Sequence, residues 1–349
     1  MLPHWSRATL IGFFAVVVLS AASIGGAAGL GPAGSIAFSA DNQIFLEQGG
    51  RTVQLTHDRP GVVGIAWSPD GSRLLAWRYR KLPAISIVNA DGSIGSQVAT
   101  EVAGEPRWSP DGSRIAFQRG QYHSGQTGRA IYVVDANGHR IRRVTKYALP
   151  GAVFGSVFSW SPDGTRIVYA GGSPAGHGLF IAQVGAAPSS PTPIPSTLTR
   201  DPGLPGDPVW SPNGSTIAYQ DGAGGVSLVK PDGTGRKRLP VRFAYGPAWS
   251  PDGSKLAFVS RRANYVVNAD GTGLKKLPGC RCVKVWPGFV QRLTWSPDGS
   301  MIAYAGGTGP GRQPESGIYV EKLDGWAAVR IASSPTSQYS RPLWRPMHT

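Results

Sequence analysis

The chain has 349 residues, 41% of them hydrophobic and 16% charged, enough to bury a large core and too apolar for a disordered polypeptide. Thirty-five Lys and Arg outweigh 20 Asp and Glu, and the net charge of +15 points to acidic partners. No long apolar helical period follows the first 30 residues, so a helical fold is excluded, and the 48 Gly and 30 Pro read as regularly spaced turns of an all-β protein.

Taken in order, Arg7 precedes an apolar run over residues 10–19 and then the small residues Ser20, Ala21, Ala22, Ala27 and Ala28. This is the layout of an export signal, and residues 1–28 are expected to be a signal peptide. The run is shorter than the roughly 20 apolar residues of a spanning helix. Retention as an uncleaved membrane anchor is the alternative, and no Cys lies near enough for a lipoprotein anchor. A periplasmic or secreted protein is expected, with nucleic acid the least fitting of the acidic partners. Loss of Arg7 with the signal leaves a charge of +14.

Three short strands follow, over 36–38, 44–47 and 52–56, with a Gly49-Gly50 turn before the last. Then comes Trp67-Ser68-Pro69-Asp70-Gly71, which recurs at Trp108, Trp160, Trp210 (with Asn213 for Asp), Trp249 and Trp295, and ends in a broken copy at Trp344. The steps from Trp to Trp are 41, 52, 50, 39, 46 and 49 residues, the spacing of propellers and solenoids. Pro presets the second position of a type I turn, Ser and Asp bond local backbone, and Gly takes the left-handed conformation that follows. After each turn stands an apolar strand: 74–77, 115–117, 167–169, 217–219, 256–258 and 302–304. A third strand leads to a second turn at Asp91-Gly92, Asn137-Gly138, Asp232-Gly233, Asp270-Gly271 and Asp324-Gly325. Basic fourth strands follow over 140–145, 236–239, 274–277 and 329–331, as suits an outer edge. Residues 186–195, rich in Pro and Ser, read as an exposed spacer.

Four antiparallel strands per repeat make a propeller blade. The first three strands lack a Trp strand and the C-terminus has one to spare, so residues 342–344 are expected to complete the first blade and close the ring. This predicts one seven-bladed domain over 34–346, about 45 residues per blade. A six-bladed ring is the alternative; it needs about 52 residues per blade and leaves one Trp repeat outside.

The W-S-P-D-G turn followed by an I-A-F/Y strand resembles the repeat of TolB-type propellers, with related blades in the propeller domains of prolyl-oligopeptidase-like and tricorn-like proteases. The resemblance implies the fold over nearly the whole chain after the signal and says little about activity. TolB carries an α/β domain before its propeller, whereas the first strand here begins close behind the signal. The related peptidases carry a hydrolase domain, and this chain has no G-x-S-x-G nucleophile elbow.

Propeller connectivity sorts the loops onto two faces. The short turns share one face with ten of the 20 acids, expected to serve turn formation. The irregular stretches 78–82, 118–129, 171–178, 278–291 and 306–317 fall on the other. Long loops on one rim of a rigid scaffold usually carry binding. The candidate binding residues there are Arg78, Tyr79, Arg80, Lys81, Arg119, Tyr122, His123, Arg129, Arg261, Arg262, Trp286 and Arg312. Interleaved Arg, Tyr and Trp suit an interaction surface, and plain solvated loops are the competing reading. Asp201, Asp207 and Glu315 are the chief acids of that face.

The seven repeat tryptophans are expected to pack between blades. His123 and His177 share the long-loop face, but the remaining histidines show no ligand spacing, so neither a metal nor a cofactor is expected. Cys280 and Cys282 leave open a small disulfide, a reactive pair or two inert thiols. The leading expectation is an exported, monomeric, non-enzymatic propeller that binds a protein or an anionic envelope polymer through its long-loop face. The alternative is an enzyme acting on polysaccharide or peptide from the central channel.

Overall fold

The structure, a computed structural model, describes residues 34–40, 42–57, 62–78, 83–102, 104–120, 129–145, 158–173, 176–185, 192–193, 205–260, 263–278, 293–308, 315–324, 328–334 and 342–346. They form seven four-stranded antiparallel sheets arranged as the blades of a propeller, with no helix among the described residues. The six-bladed alternative is thereby excluded.

The first blade joins Leu343–Trp344 to Ile36–Ala40, Gln43–Gln48 and Arg51–Gln54, so the last strand of the chain is the innermost strand of the first sheet. Ile36 pairs with Trp344 and Ala37 with Leu343, which closes the ring as the unmatched Trp strand predicts. Blade two holds Val62–Trp67, Arg73–Arg78, Ala84–Asn89 and Ile94–Thr100, and blade three holds Arg107–Trp108, Arg114–Gly120, Arg129–Asp135 and Arg142–Arg143. Blades four to seven repeat this order from inside to outside, the sixth for example being Ala244–Trp249, Lys255–Ser260, Ala263–Asn268 and Lys275–Lys276.

Each W-S-P-D-G stretch forms one and the same turn. In the first copy Gly71 N donates to Ser68 O (2.9 Å) at φ +65°, and the Ser68 hydroxyl accepts from Arg73 N (2.9 Å). Asp70 receives Ser72 N (3.1 Å) and the Ser72 hydroxyl (2.8 Å), and the Ser68 hydroxyl also donates to it. Asn213 accepts from Ser211, Ser215 N and the Ser215 hydroxyl, so the one Asn copy keeps the design with its amide oxygen.

The core lies in the seams between blades. Side chains alternate along each second strand, so Leu74 and Ala76 pack on Ala37, Ile44 and Leu46 of blade one, while Leu75 packs on Ile115 and Phe117 of blade three. Five blades add an aromatic pair stacked across the second and third strands, from Phe38 and Phe45 (ring centroids 5.6 Å apart) to Tyr304 and Tyr319 (5.8 Å).

The tryptophans stitch neighbouring blades. The indole of Trp108 donates to Ala66 O (3.2 Å), that of Trp295 to Ala248 O (2.9 Å) and that of Trp67 to Leu343 O (3.2 Å), each time reaching the residue just before the preceding blade's Trp. Trp160 and Trp249 repeat the bond, while the buried indole nitrogens of Trp210 and Trp344 find no partner among the described residues. Over several of these rings sits an arginine of the preceding blade: Arg73 over Trp108 at 4.9 Å, Arg114 over Trp160 at 5.4 Å, Arg166 over Trp210 at 4.9 Å.

Blade one has Ser35 where those blades have arginine, and Arg345 takes over the task. Its guanidinium lies 5.4 Å from the Trp67 ring and its Nε donates to Gly71 O (2.8 Å), as Arg114 Nη2 donates to Gly164 O (2.9 Å). The broken copy of the motif thus supplies the arginine that those blades take from the start of the second strand.

Three expectations need correction. The fourth strands differ in extent: Arg142–Arg143 and Lys275–Lys276 are shorter than 140–145 and 274–277, while Lys237–Arg242 and Val329–Ser334 run further than 236–239 and 329–331, because an outer strand pairs with one neighbour and carries no core pattern. Residues 186–195 are not all spacer, since Thr192 pairs with Ile181 and Pro193 with Phe180 as the fourth strand of blade four. Stretches 171–178 and 306–317 contain hairpin arms: the second and third strands of blades four and seven run on past the blade, with Gly171 opposite Gly178 and Gly306 opposite Gly317. The glycine pairs hid this from pattern reading, and one glycine of each is needed, since a Cβ on Gly171 would lie 2.8 Å from the Tyr169 ring and one on Gly317 2.7 Å from Ala332 O.

Candidate functional site

The two faces differ in chemistry. On the turn face most of the acids, from Asp70 to Asp298, are held by their own turns. The Ser68 hydroxyl, followed by the Ser72 amide and hydroxyl and the charge of Arg73, outweighs the opposing effect of burial and lowers Asp70 to about 2. Asp111 and Asp252, in the same arrangement, are also lowered to about 2, and Asp163 is lowered through Ser161 and Thr165. Ser93 and Thr272 bond to and lower Asp91 and Asp270 in the third-to-fourth strand turns. These carboxylates form no proton-relay pair, and among the described residues no three His, Cys, Asp or Glu side chains gather as metal ligands.

On the opposite face the ends of the second strands carry charge at one register position, eleven residues beyond each blade's Trp: Arg78 in blade two, Arg119 in blade three and Asp221 in blade five. Arg119 donates through Nε to Glu101 (3.0 Å), which turns out of blade two at φ +60°, and its guanidinium lies 5.9 Å from the Tyr132 ring. Asp221 is fully buried. It accepts from Gly225 N (2.8 Å), Ala223 N (3.1 Å) and the Ser227 hydroxyl (3.0 Å), and pairs with Arg238 Nε (3.0 Å). Arg78 is only 6% exposed, and its Nε and Nη2 have no hydrogen-bond partner among the described residues.

Of the other candidates, Arg129 stands opposite Gly120 in the hairpin of blade three. Tyr79, Arg80, Lys81, Tyr122, His123, Arg261, Arg262, Trp286, Arg312, Cys280 and Cys282 lie outside the described residues. His177 is in register with Gly172 near the tip of the blade-four arm, and its expected neighbour His123 is among those outside. Asp207 is buried, at φ +46°, at the start of blade five's inner strand. Sequence reading missed Asp221 and Glu101. The first had a signal in Asp221-Gly222, a turn dipeptide placed on the long-loop face by counting from Trp210; the second had none, because the pairing depends on the meeting of two blades.

With the fold and the site laid out, the chain can be set beside known proteins. The sequence profile of the TolB beta propeller domain matches residues 46–244, more than half of the chain. Among curated proteins none matches it in sequence. Among solved structures it is similar to TolB from Acinetobacter baumannii (18% identity, TM-score 0.57, covering 90% of this chain and 67% of that one). It is also similar to oligogalacturonate lyase from Vibrio parahaemolyticus (15% identity, TM-score 0.58, 86% of each chain). An oligogalacturonate lyase in complex with manganese gives a comparable match (16% identity, TM-score 0.54, 85% and 84%). At these identities the likeness is one of fold.

Proposed function

We propose that this chain, which belongs to the TolB beta-propeller family, is a non-enzymatic binding protein that takes an acidic protein or anionic envelope polymer on its long-loop face. One observation carries the reading: most aspartates of the turn face are held by the hydroxyls and amides of their own turns, whereas on the opposite face Arg78 ends its strand beside the loops that do not repeat, with two donors unpartnered among the described residues. A propeller blade is a rigid mount, and loops held on such a mount are suited to recognition. The excess of 15 positive charges favours an acidic partner and a fast, salt-sensitive encounter.

Export belongs to the same proposal, resting on the apolar run over 10–19 and the small residues after it, and N-terminal sequencing of secreted material tests it. So does a monomeric state. The test of function is capture from an envelope extract by the full chain and by an Arg80→Ala/Arg261→Ala/Arg262→Ala variant, at low and high salt. The reading expects weaker capture and a flatter salt dependence for the variant; identical capture by both proteins contradicts it.

The fold likeness to oligogalacturonate lyase motivates the enzymatic alternative, lyase chemistry on a uronate polymer. Formation of unsaturated products from polygalacturonate, with and without added manganese, would establish that alternative in place of the binding reading.

A further inference from the structure

The chain passes from the outer strand of blade five, Lys237–Arg242, to the inner strand of blade six, Ala244–Trp249, through one residue, Phe243. The outer strand starts from the Asp232-Gly233 turn on the turn face, so it ends, and the crossing lies, on the long-loop face. Phe243 is 57% exposed and has φ +56°, the left-handed region that bulky side chains avoid. Glycine takes that conformation freely. A phenylalanine there sets a large apolar ring in water on a strained backbone, a combination that stability alone does not favour.

The crossing is held from both blades. Arg242 stands opposite Gly225, and its carbonyl accepts from the Ser260 hydroxyl (2.7 Å). Ala244 stands opposite Ser260, and its N donates to Gly224 O (3.3 Å). Gly224 and Gly225 belong in turn to the tight turn that the buried Asp221 organises, which Arg238 Nη2 braces by donating to Ala223 O (3.0 Å). The ring therefore projects from a backbone already fixed, and little freedom is lost when a partner takes hold of it. Five other large apolar side chains of the described residues are exposed: Val53, Ile94, Ile141, Leu274 and Val329. Each lies on an outer strand or one residue before it, two to four residues after the glycine of its third-to-fourth turn, and so near the turn face. Among the described residues Phe243 alone places a large exposed apolar group on the long-loop face.

We infer that Phe243 is the apolar anchor of that face and that its occupant is a folded acidic protein, which receives the ring in a pocket of its own and sets a carboxylate against Arg242. A single ring standing out from a stiff backbone is complementary to a concave partner, and aromatic side chains so placed carry much of the binding energy of protein interfaces. Arg242, exposed beside the ring, and the net charge of +15 supply the attraction for an acidic rim. A membrane surface takes up several apolar side chains from one face, and the others here lie toward the opposite one. A hydrophilic polymer has no apolar pocket to offer. This inference deepens the long-loop binding reading and rests on it.

The test places a photo-reactive benzoyl-phenylalanine in the full chain instead of Phe243 or, as controls, instead of Val53 or Ile94, and irradiates each protein in an envelope extract. A discrete protein adduct is expected from position 243 and from neither control. The adduct's protein, identified by mass spectrometry and purified, is then titrated with the wild type, Phe243→Gly, Phe243→Leu and Arg242→Ala. Affinity should fall at least tenfold in Phe243→Gly and less in Phe243→Leu, and Arg242→Ala should flatten the salt dependence. Without partner, Phe243→Gly should melt within about 2 °C of the wild type, because relief of the left-handed backbone offsets the loss of a ring already more than half in water. A larger drop would overturn the inference by marking the ring as a structural plug. So would the absence of an adduct, the same adduct from all three positions, or wild-type affinity in Phe243→Gly; unchanged salt dependence in Arg242→Ala would overturn the acidic rim. Binding of phosphatidylglycerol vesicles or of polygalacturonate that Phe243→Gly abolishes, with no protein adduct, would put a membrane or a polymer in the protein's place. If Phe243→Gly still captures the partner while the Arg80/Arg261/Arg262 variant does not, the long-loop face stands and the anchor falls; if neither affects capture, the functional reading falls as well.

Discussion

Replacing Arg345 by Ala tests the closure of the ring. The substitution removes the bond from Arg345 Nε to Gly71 O (2.8 Å) and the stacking over Trp67 (5.4 Å), and leaves the backbone bond from Arg345 N to Ser35 O (2.7 Å) in place. A hydrogen bond from a charged donor contributes about 1.5 to 3 kcal/mol and a partly exposed cation–π contact about 0.5 to 1 kcal/mol. Arg345 is half-buried, so the low ends apply and the loss is about 2 kcal/mol. For a domain of this size that lowers the melting temperature by about 4 °C. Circular dichroism melts would measure the shift, and hydrogen exchange would show it as faster exchange in Leu343–Trp344 and Ile36–Ala40. Arg114→Ala removes the same two contacts inside the ring and serves as the reference. If Arg114→Ala lowers the melt and Arg345→Ala leaves both melt and exchange unchanged, Arg345 is not a clasp.

The turn aspartates make stability depend on acid. Their folded values lie below the ordinary carboxylate value, so their contribution is whole above about pH 5, falls as the pH drops through 4 toward 2 and is lost below that; urea midpoints should be flat from pH 7 to about 5 and decline thereafter. Asp70→Asn should cost under about 1 kcal/mol in urea unfolding, because Asn213 already serves in the same turn, whereas Ser68→Ala, which strips a buried hydroxyl from Arg73 N, should cost about 1 to 2 kcal/mol. Gly92→Ala should cost more than about 2 kcal/mol, since its φ is +88° and a Cβ would sit 2.4 Å from Leu55 O; an unchanged midpoint would show that the turn can move away.

The architecture was legible in the sequence because the turn chemistry of Ser-Pro-Asp-Gly is local and repeats. Counting from Trp to Trp placed the strands, and the surplus Trp344 strand beside a first blade short of one predicted the closing strand, which pairs Trp344 with Ile36. The outer edges were read less well, because the reach of Arg142–Arg143 or Thr192–Pro193 depends on pairing with one neighbour and on no core pattern. The hairpin arms were missed because Gly171, Gly306 and Gly317 give a strand no alternation to detect. Sequence counting put Arg78 and Arg119 on the long-loop face together. The partner of Arg119, Glu101, comes from the preceding blade, and the two donors of Arg78 have no partner among the described residues, a difference that counting from Trp could not reveal.

The most direct test of the central claim is hydrogen–deuterium exchange of the full chain, alone and saturated with its captured partner. The account predicts new protection at the long-loop ends of the strands, at Arg78, Ala84, Glu101 and Arg119 and the connections beside them, with the Ser68 to Ser72 and Ser109 to Ser113 turns unchanged. Protection confined to those turns, with the long-loop face exchanging as before, would contradict it.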